Sequence, residues 1–92
     1  MTDKGSSLDL LEFPCRYPFK VFTDRRDLTV FEQEVHSCAA AVVGPEAAEL
    51  SRRASSRGTY ICVTMTVEVN TRSQIEALYD SLRSLRGVCY LL

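Results

Sequence analysis

The chain has 92 residues, a formal net charge of −1, 46% hydrophobic residues and 25% charged ones. That length supports one small core and leaves no room for a second, and the composition is that of a globular domain rather than a disordered segment. Near-neutral charge removes any global electrostatic case for nucleic acid or a membrane surface, and no apolar run approaches the roughly 20 residues that span a bilayer.

The opening MTDKGSSLD is polar and carries acidic residues, unlike a signal peptide, so a cytoplasmic protein is expected. Residues 1–9 read as a loose tail and residues 10–92 as a single domain. The run LDLLEFP then supplies apolar residues for a short turn ahead of Pro14. CRYPFKVFT, Cys15 to Thr23, alternates and is rich in aromatics, which predicts a strand. Pro18 inside it argues for a sheet edge or a strand start, because proline has no N–H for a ladder.

A helix follows TDRRD. Leu28, Phe31, Val35, Cys38 and Val42 recur at spacings of three and four and form one apolar stripe. Its start is open: Thr29 with Glu32 has capping-box spacing, while Asp24 and Asp27 are equally suitable caps. Gly44-Pro45 ends it. Ala48 to Ser55 gives a weaker, second strand.

Arg57-Gly58 reads as a tight turn, with glycine there for a positive φ. Thr59 to Val69 is then the strongest strand in the chain. Ile61, Val63, Met65, Val67 and Val69 face one way, and Tyr60, Cys62, Thr64, Thr66 and Glu68 the other. A second helix starts at Asn70 or Thr71, with Thr71 and Gln74 at capping-box spacing. Ile75, Leu78, Tyr79, Leu82 and Leu85 form its stripe, Gly87 its C-cap, and VCYLL a last strand.

The order βαββαβ predicts an α+β, ferredoxin-like sandwich: a four-stranded antiparallel sheet with two helices on one face. The first and third strands take the middle. The helices cover the Ile61/Val63/Met65/Val67 side and leave the other side open.

Chemistry is sparse. Cys15, Cys38, Cys62 and Cys89 form no C-x-x-C pair, so zinc, which draws two ligands from one short turn, is not expected; they read as free, buried thiols in a reducing compartment. His36, the one histidine, lies two positions from Cys38, about 200° around a helix, so no Cys–His dyad forms there. Glu32, Glu34, Glu76 and Asp80 suit solvated helix faces, and no phosphate loop or dinucleotide fingerprint is present. No enzyme activity and no cofactor are expected.

The stretch SSRGTYICVTMTVEV, Ser55 to Val69, has the basic-Gly-aromatic start of RNA-reading strands. Those strands place aromatics at the third and fifth positions counted from the basic residue, and counted from Arg57 those positions hold Thr59 and Ile61. Tyr60 is off by one residue, and a one-residue slip moves a side chain to the opposite face. Tyr60 is then a lone aromatic on the open face, a poor platform for stacking bases.

LLEFPCRYPFKV, Leu10 to Val21, and SSRGTYICVTMTVEV with QIEALYDSL, Ser55 to Leu82, resemble the YbeD-like family of small bacterial proteins. The shared features are the LLEFP entry to a strand ending in Lys-Val, the Ser-Ser-basic-Gly-x-Tyr turn and the Leu-Tyr-x-x-Leu helix. The resemblance implies a ferredoxin-like domain similar to ACT regulatory domains, which bind small effectors between paired copies, and it implies no catalytic residues. It also directs attention to FTDRRD, where Thr23 stands in place of a glycine frequent in such relatives.

These readings converge on a non-catalytic regulatory or protein-interaction domain, acting on an unknown protein partner or a second copy, with a small effector as a further ligand class. The expected interaction surface comprises Arg16, Lys20, Tyr60, Cys62 and Thr64 on the sheet and Asp24, Arg25 and Arg26 in the loop after the first strand. Single-stranded nucleic-acid binding through the same open face is the alternative.

Overall fold

The chain's period-two runs and its two amphipathic stripes pack as a single sheet with one helical layer. The computed structural model describes residues 11–55 and 57–92, so the tail expected over residues 1–9 lies outside the described residues. Its elements are β1 (Cys15–Thr23), α1 (Leu28–Val43), β2 (Ala48–Ala54), β3 (Ile61–Val69), α2 (Arg72–Arg83) and β4 (Val88–Leu91). The strands lie in the order β2-β3-β1-β4, and every neighbouring pair is antiparallel. This is the ferredoxin-like α+β fold.

The core is built where the alternation of β1 and β3 meets the helical stripes. Phe19 and Val21, Val63 to Val69 at alternate positions, Phe31, Val35 and Ala39, and Ile75, Leu78 and Leu82 are all sealed from solvent. In α1 the deepest line is Phe31–Val35–Ala39, with Cys38 and Val42 packed only partly against it. The predicted stripe follows side-chain hydrophobicity and so passes over Ala39, which is fully buried. Leu11 and Phe13 pack against the rim of this core.

Pro18 does not mark an edge, because β1 runs between β3 and β4. Its position is tolerated for a local reason. Lys20 exchanges both backbone bonds with Leu92, so the even-numbered residues of β1 direct their backbone groups toward β4. β4 reaches β1 only near Val21 to Thr23, and Pro18 lies beyond it, where no N–H is called for.

Helix ends also follow side-chain competition. Asp27 occupies the N-cap of α1 but makes no capping bond, because its carboxylate is held by Arg25. Thr71 caps α2 as its spacing predicts: its Oγ1 accepts the Gln74 N–H at 3.2 Å, and Gln74 Oε1 accepts the Asn70 N–H at 2.7 Å. α2 stops at Arg83 with Ser84 as its cap, so Leu85 and Gly87 lie beyond the helix rather than closing it. Gly58 has φ +71 and open space around it, as the β2–β3 turn requires. Ser55 and Tyr60 close this turn with a 2.8 Å backbone bond, and β3 starts at Ile61 rather than Thr59.

Candidate functional site: the open sheet face

The side of the sheet away from the helices divides into an ionic end and an apolar end. Register alone places Arg16 beside Glu68, Lys20 beside Thr64 and Phe22 beside Cys62 on this side of β1 and β3. Across β3, Arg16 donates to Glu49 Oε1 of β2 at 2.8 Å, an exposed ion pair of small stabilising value. Cys62 and Thr64 stand two residues apart with Sγ and Oγ1 at 3.8 Å.

At the other end the face is aromatic. Phe22 stacks edge-to-face on Tyr90 with ring centroids 5.3 Å apart and planes at 86°. Tyr60 completes a hollow of about 330 Å³ lined by Phe22, Ser55, Tyr60, Cys89 and Tyr90. Tyr90 is 59% exposed and Tyr60 41%, large for aromatic residues on a domain of this size. Tyr60 is therefore not a lone aromatic. The expectation missed Phe22, although it falls in the same alternating set as Arg16, Pro18 and Lys20. It also missed Tyr90, for which the sequence held no signal: a bulge opposite Phe22 and Thr23 inserts Cys89 as an extra residue, so Val88 and Leu91, three apart, both meet the core and Tyr90 turns outward.

The loop from Asp24 to Asp27 departs from expectation at one residue. Asp24 and Arg26 are exposed, but Arg25 is only 7% exposed and serves the fold. Its Nε and Nη2 donate to the two oxygens of Asp27 at 2.9 and 2.6 Å, Nη1 donates to Glu34 Oε1 at 2.7 Å and to the Arg86 carbonyl at 3.0 Å, and its guanidinium lies 5.1 Å from the centre of the Phe31 ring. Thr23 Oγ1 accepts the Arg25 N–H at 3.1 Å and donates to the Gly87 carbonyl at 2.7 Å. A Cβ on Gly87 would fall 2.3 Å from Arg25 Cδ, so glycine is required there by space as well as by φ +89. The clamp ties β1, α1 and the α2–β4 connection together. Arg25 holds the Asp27 carboxyl at about 2 and lowers Glu34, while these two carboxylates hold the guanidinium above its ordinary value.

Outside the clamp, Asp24, Arg26, Gly58 and Thr59 border a cleft of about 410 Å³ at the end of the sheet. Of the sequence-predicted residues, then, Lys20, Cys62 and Thr64 are neighbours on the open face. Tyr60 lies at its aromatic end, Arg16 at its ionic end, and Asp24 and Arg26 around a separate cleft.

His36 Nε2 lies 2.9 Å from the Pro45 carbonyl, which can only accept, so Nε2 carries the proton and the ring ties α1 to the turn after it. Among the described residues, no cluster of three His, Cys, Asp or Glu side chains is placed to hold a metal, and no helix is long and apolar enough to cross a membrane. All four cysteines are free. Burial pushes the Cys38 thiol up, whereas Cys89, expected to be buried, is exposed because the bulge turns it outward.

Residues 9–92 match the model of a family described as a protein of unknown function, DUF493. A UPF0250 protein of Shewanella piezotolerans is 42% identical over 80 residues, covering 87% of this chain and 88% of the relative. Another from Shewanella amazonensis is 41% identical over 81 residues, covering 85% of each chain. The solution structure of Helicobacter pylori protein HP0495 covers all of this chain and 96% of its own at a TM-score of 0.69; with 14% identity, that likeness is one of fold. Matched from residue 9 to its last residue, and aligned with relatives over most of their length, the chain belongs to the DUF493/UPF0250 family of small bacterial proteins, the YbeD-like group.

Proposed function

We propose that this domain is a non-catalytic interaction module that docks a partner protein on the aromatic end of its open sheet face. The observation that carries the reading is the exposed Phe22–Tyr90 pair, with Tyr60 beside it, around a hollow whose lining contains no charged residue. Exposed aromatics around a concave apolar site are the usual anchors of protein interfaces, where they bring large contact area at little entropic cost. Lys20, Cys62 and Thr64 continue the surface toward Arg16 and supply its polar rim. Free thiols throughout support a cytoplasmic place of action.

A small regulatory effector is the lesser possibility within this reading. Its natural place is the cleft beside Asp24 and Arg26, but the Arg25 N–H, the backbone donor such a loop would offer, already binds Thr23. Docking is tested by placing a photo-crosslinking amino acid at Tyr90 and, separately, at Arg83 on α2, in cells of the source organism. A protein adduct at Tyr90 that disappears with Phe22→Ser supports docking; equal adducts at the two positions, or none, overturn it.

Three aromatics on one face, with Lys20 next along β1 and Arg53 on β2 in register with Cys62, also favour single-stranded nucleic acid as a second reading. Its mark is oligonucleotide binding at low salt that fades as salt rises.

A further inference from the structure

The two edges of the sheet are built differently. β4 is four residues long and broken by a bulge, a usual protection against edge-to-edge pairing. β2 is seven residues long, contains neither proline nor glycine, and keeps an unbroken register against β3. The bonds from Glu68 N–H to the Ala47 carbonyl and from Ser55 N–H to the Tyr60 carbonyl fix its phase: odd-numbered residues of β2 bond to β3. Ala48, Leu50, Arg52 and Ala54 therefore direct their backbone N–H and C=O outward, and no described residue bonds to them.

We propose that β2 pairs antiparallel with β2 of a second copy, with the two-fold axis at Ser51, joining two four-stranded sheets into one. Charge complementarity selects this partner and this register. Centred on Ser51, Glu49 of each copy lies opposite Arg53 of the other, on the open face and as non-hydrogen-bonded pairs, whose side chains approach most closely. Leu50 and Arg52 oppose each other as hydrogen-bonded pairs, as do Ala48 and Ala54. Centring on Glu49, Arg52 or Arg53 sets like charges opposite one another, and centring on Leu50 leaves Glu49 facing Ser51. Arg53 makes no ion pair among the described residues, and Glu49, already bridged to Arg16, has a second oxygen free for it.

The helical side agrees with this register. A hollow of about 390 Å³ lies between β2 and α1, lined by Thr29, Glu32, Gln33, His36, Ser37 and Leu50. Arg52 of the copy stands opposite Leu50, over that hollow, so its aliphatic stem covers the half-buried leucine, while Glu32 stays paired with Arg52 of its own chain at 3.2 Å. The outcome is an isologous interface, self-complementary by sequence palindrome: Glu-x-Ser-x-Arg read against itself. It stands independently of docking on the aromatic end, because Phe22, Tyr60 and Tyr90 are not part of the edge.

The test is sedimentation equilibrium of the full chain and of two charge variants, alone and mixed. The wild type is expected to dimerise, Glu49→Arg and Arg53→Glu each to remain monomeric, and an equimolar mixture of those two variants to form a heterodimer in which both pairs are again opposite in sign. The mixture also controls for misfolding, since a misfolded variant cannot be rescued by its counterpart. Tyr90→Ser is expected to leave the dimer intact. In a Cys89→Ser background, Ser51→Cys is expected to form an intermolecular disulfide under mild oxidation, its two copies lying opposite each other at about the Cα separation such bonds need, whereas Glu49→Cys is not. A wild type that stays monomeric without a Ser51→Cys dimer, or a dimer indifferent to both charge reversals, overturns the proposal.

Discussion

Thr23 and Phe22 are neighbours in the chain, yet the pleat sends them into two differently built environments. On the Thr23 side, each hydrogen-bonding group has a partner: the hydroxyl serves Arg25 and Gly87, and the Arg25 guanidinium serves Asp27, Glu34 and Arg86. On the Phe22 side, aromatic rings meet each other and solvent. The contrast separates, along a single strand, the part that holds the fold together from the part on which we propose that a partner docks. Within the clamp the polar groups satisfy one another, and apolar groups on the open side are left where they contribute little to folding.

Substitutions can break that contrast. The largest effect is expected from Gly87→Ala, which strains a backbone at φ +89 and drives a methyl group into the Arg25 stem. The backbone strain alone is worth about 1–3 kcal/mol, and displacement of the clamp adds to it; urea denaturation against the wild type measures the sum. A native-like midpoint would mean that the clamp yields without loss.

An intermediate effect follows from acid. The folded-state pKa of Asp27, about 2, lies below its ordinary 3.8, so its ion pair contributes stability that is complete above the ordinary value and is lost as pH falls toward the folded one. The urea midpoint of the wild type should therefore drop as pH is lowered from 4 toward 2. Asp27→Asn should be less stable at neutral pH and show a shallower drop in that window.

The smallest effect is expected on the open side. Tyr90→Ser, at an exposed position, should move stability by no more than about 0.5 kcal/mol while weakening the docking adduct formed from a photo-crosslinking residue placed instead at Cys89, on the same hollow. A large loss of stability there would erase the distinction between the two sides.

How legible each side was in the sequence follows the same division. The core could be read because Val63, Met65, Val67 and Val69 obey a period of two and Ile75, Leu78 and Leu82 a helical period, patterns that local sequence carries. Thr71 and Gln74 capped as their spacing indicates. Arg25 could not be read. Its burial depends on groups contributed by α1 and by the connection after α2, and in sequence it is one more charged residue in FTDRRD. Pro18 was misread because the rule against proline in central strands concerns a paired N–H, and β4 is too short to pair with it. Tyr60 was assigned to its face, but its companions were not, since Tyr90 reaches that face only through the bulge.

That bulge makes what the open face presents depend on parity. If Cys89 were paired in regular alternation instead of standing as an extra residue, Val88, Cys89, Tyr90 and Leu91 would point to opposite faces by turns. Starting from Val88 against the core, alternation would then send Tyr90 and Leu91 in the reverse of their present directions. The extra residue thus decides between an exposed phenol and an exposed leucine: the same strand without a bulge would present Leu91, whereas deleting Cys89 would restore alternation and keep Tyr90 outward. A chain of this kind can alter what its surface presents by counting residues rather than by changing their chemistry.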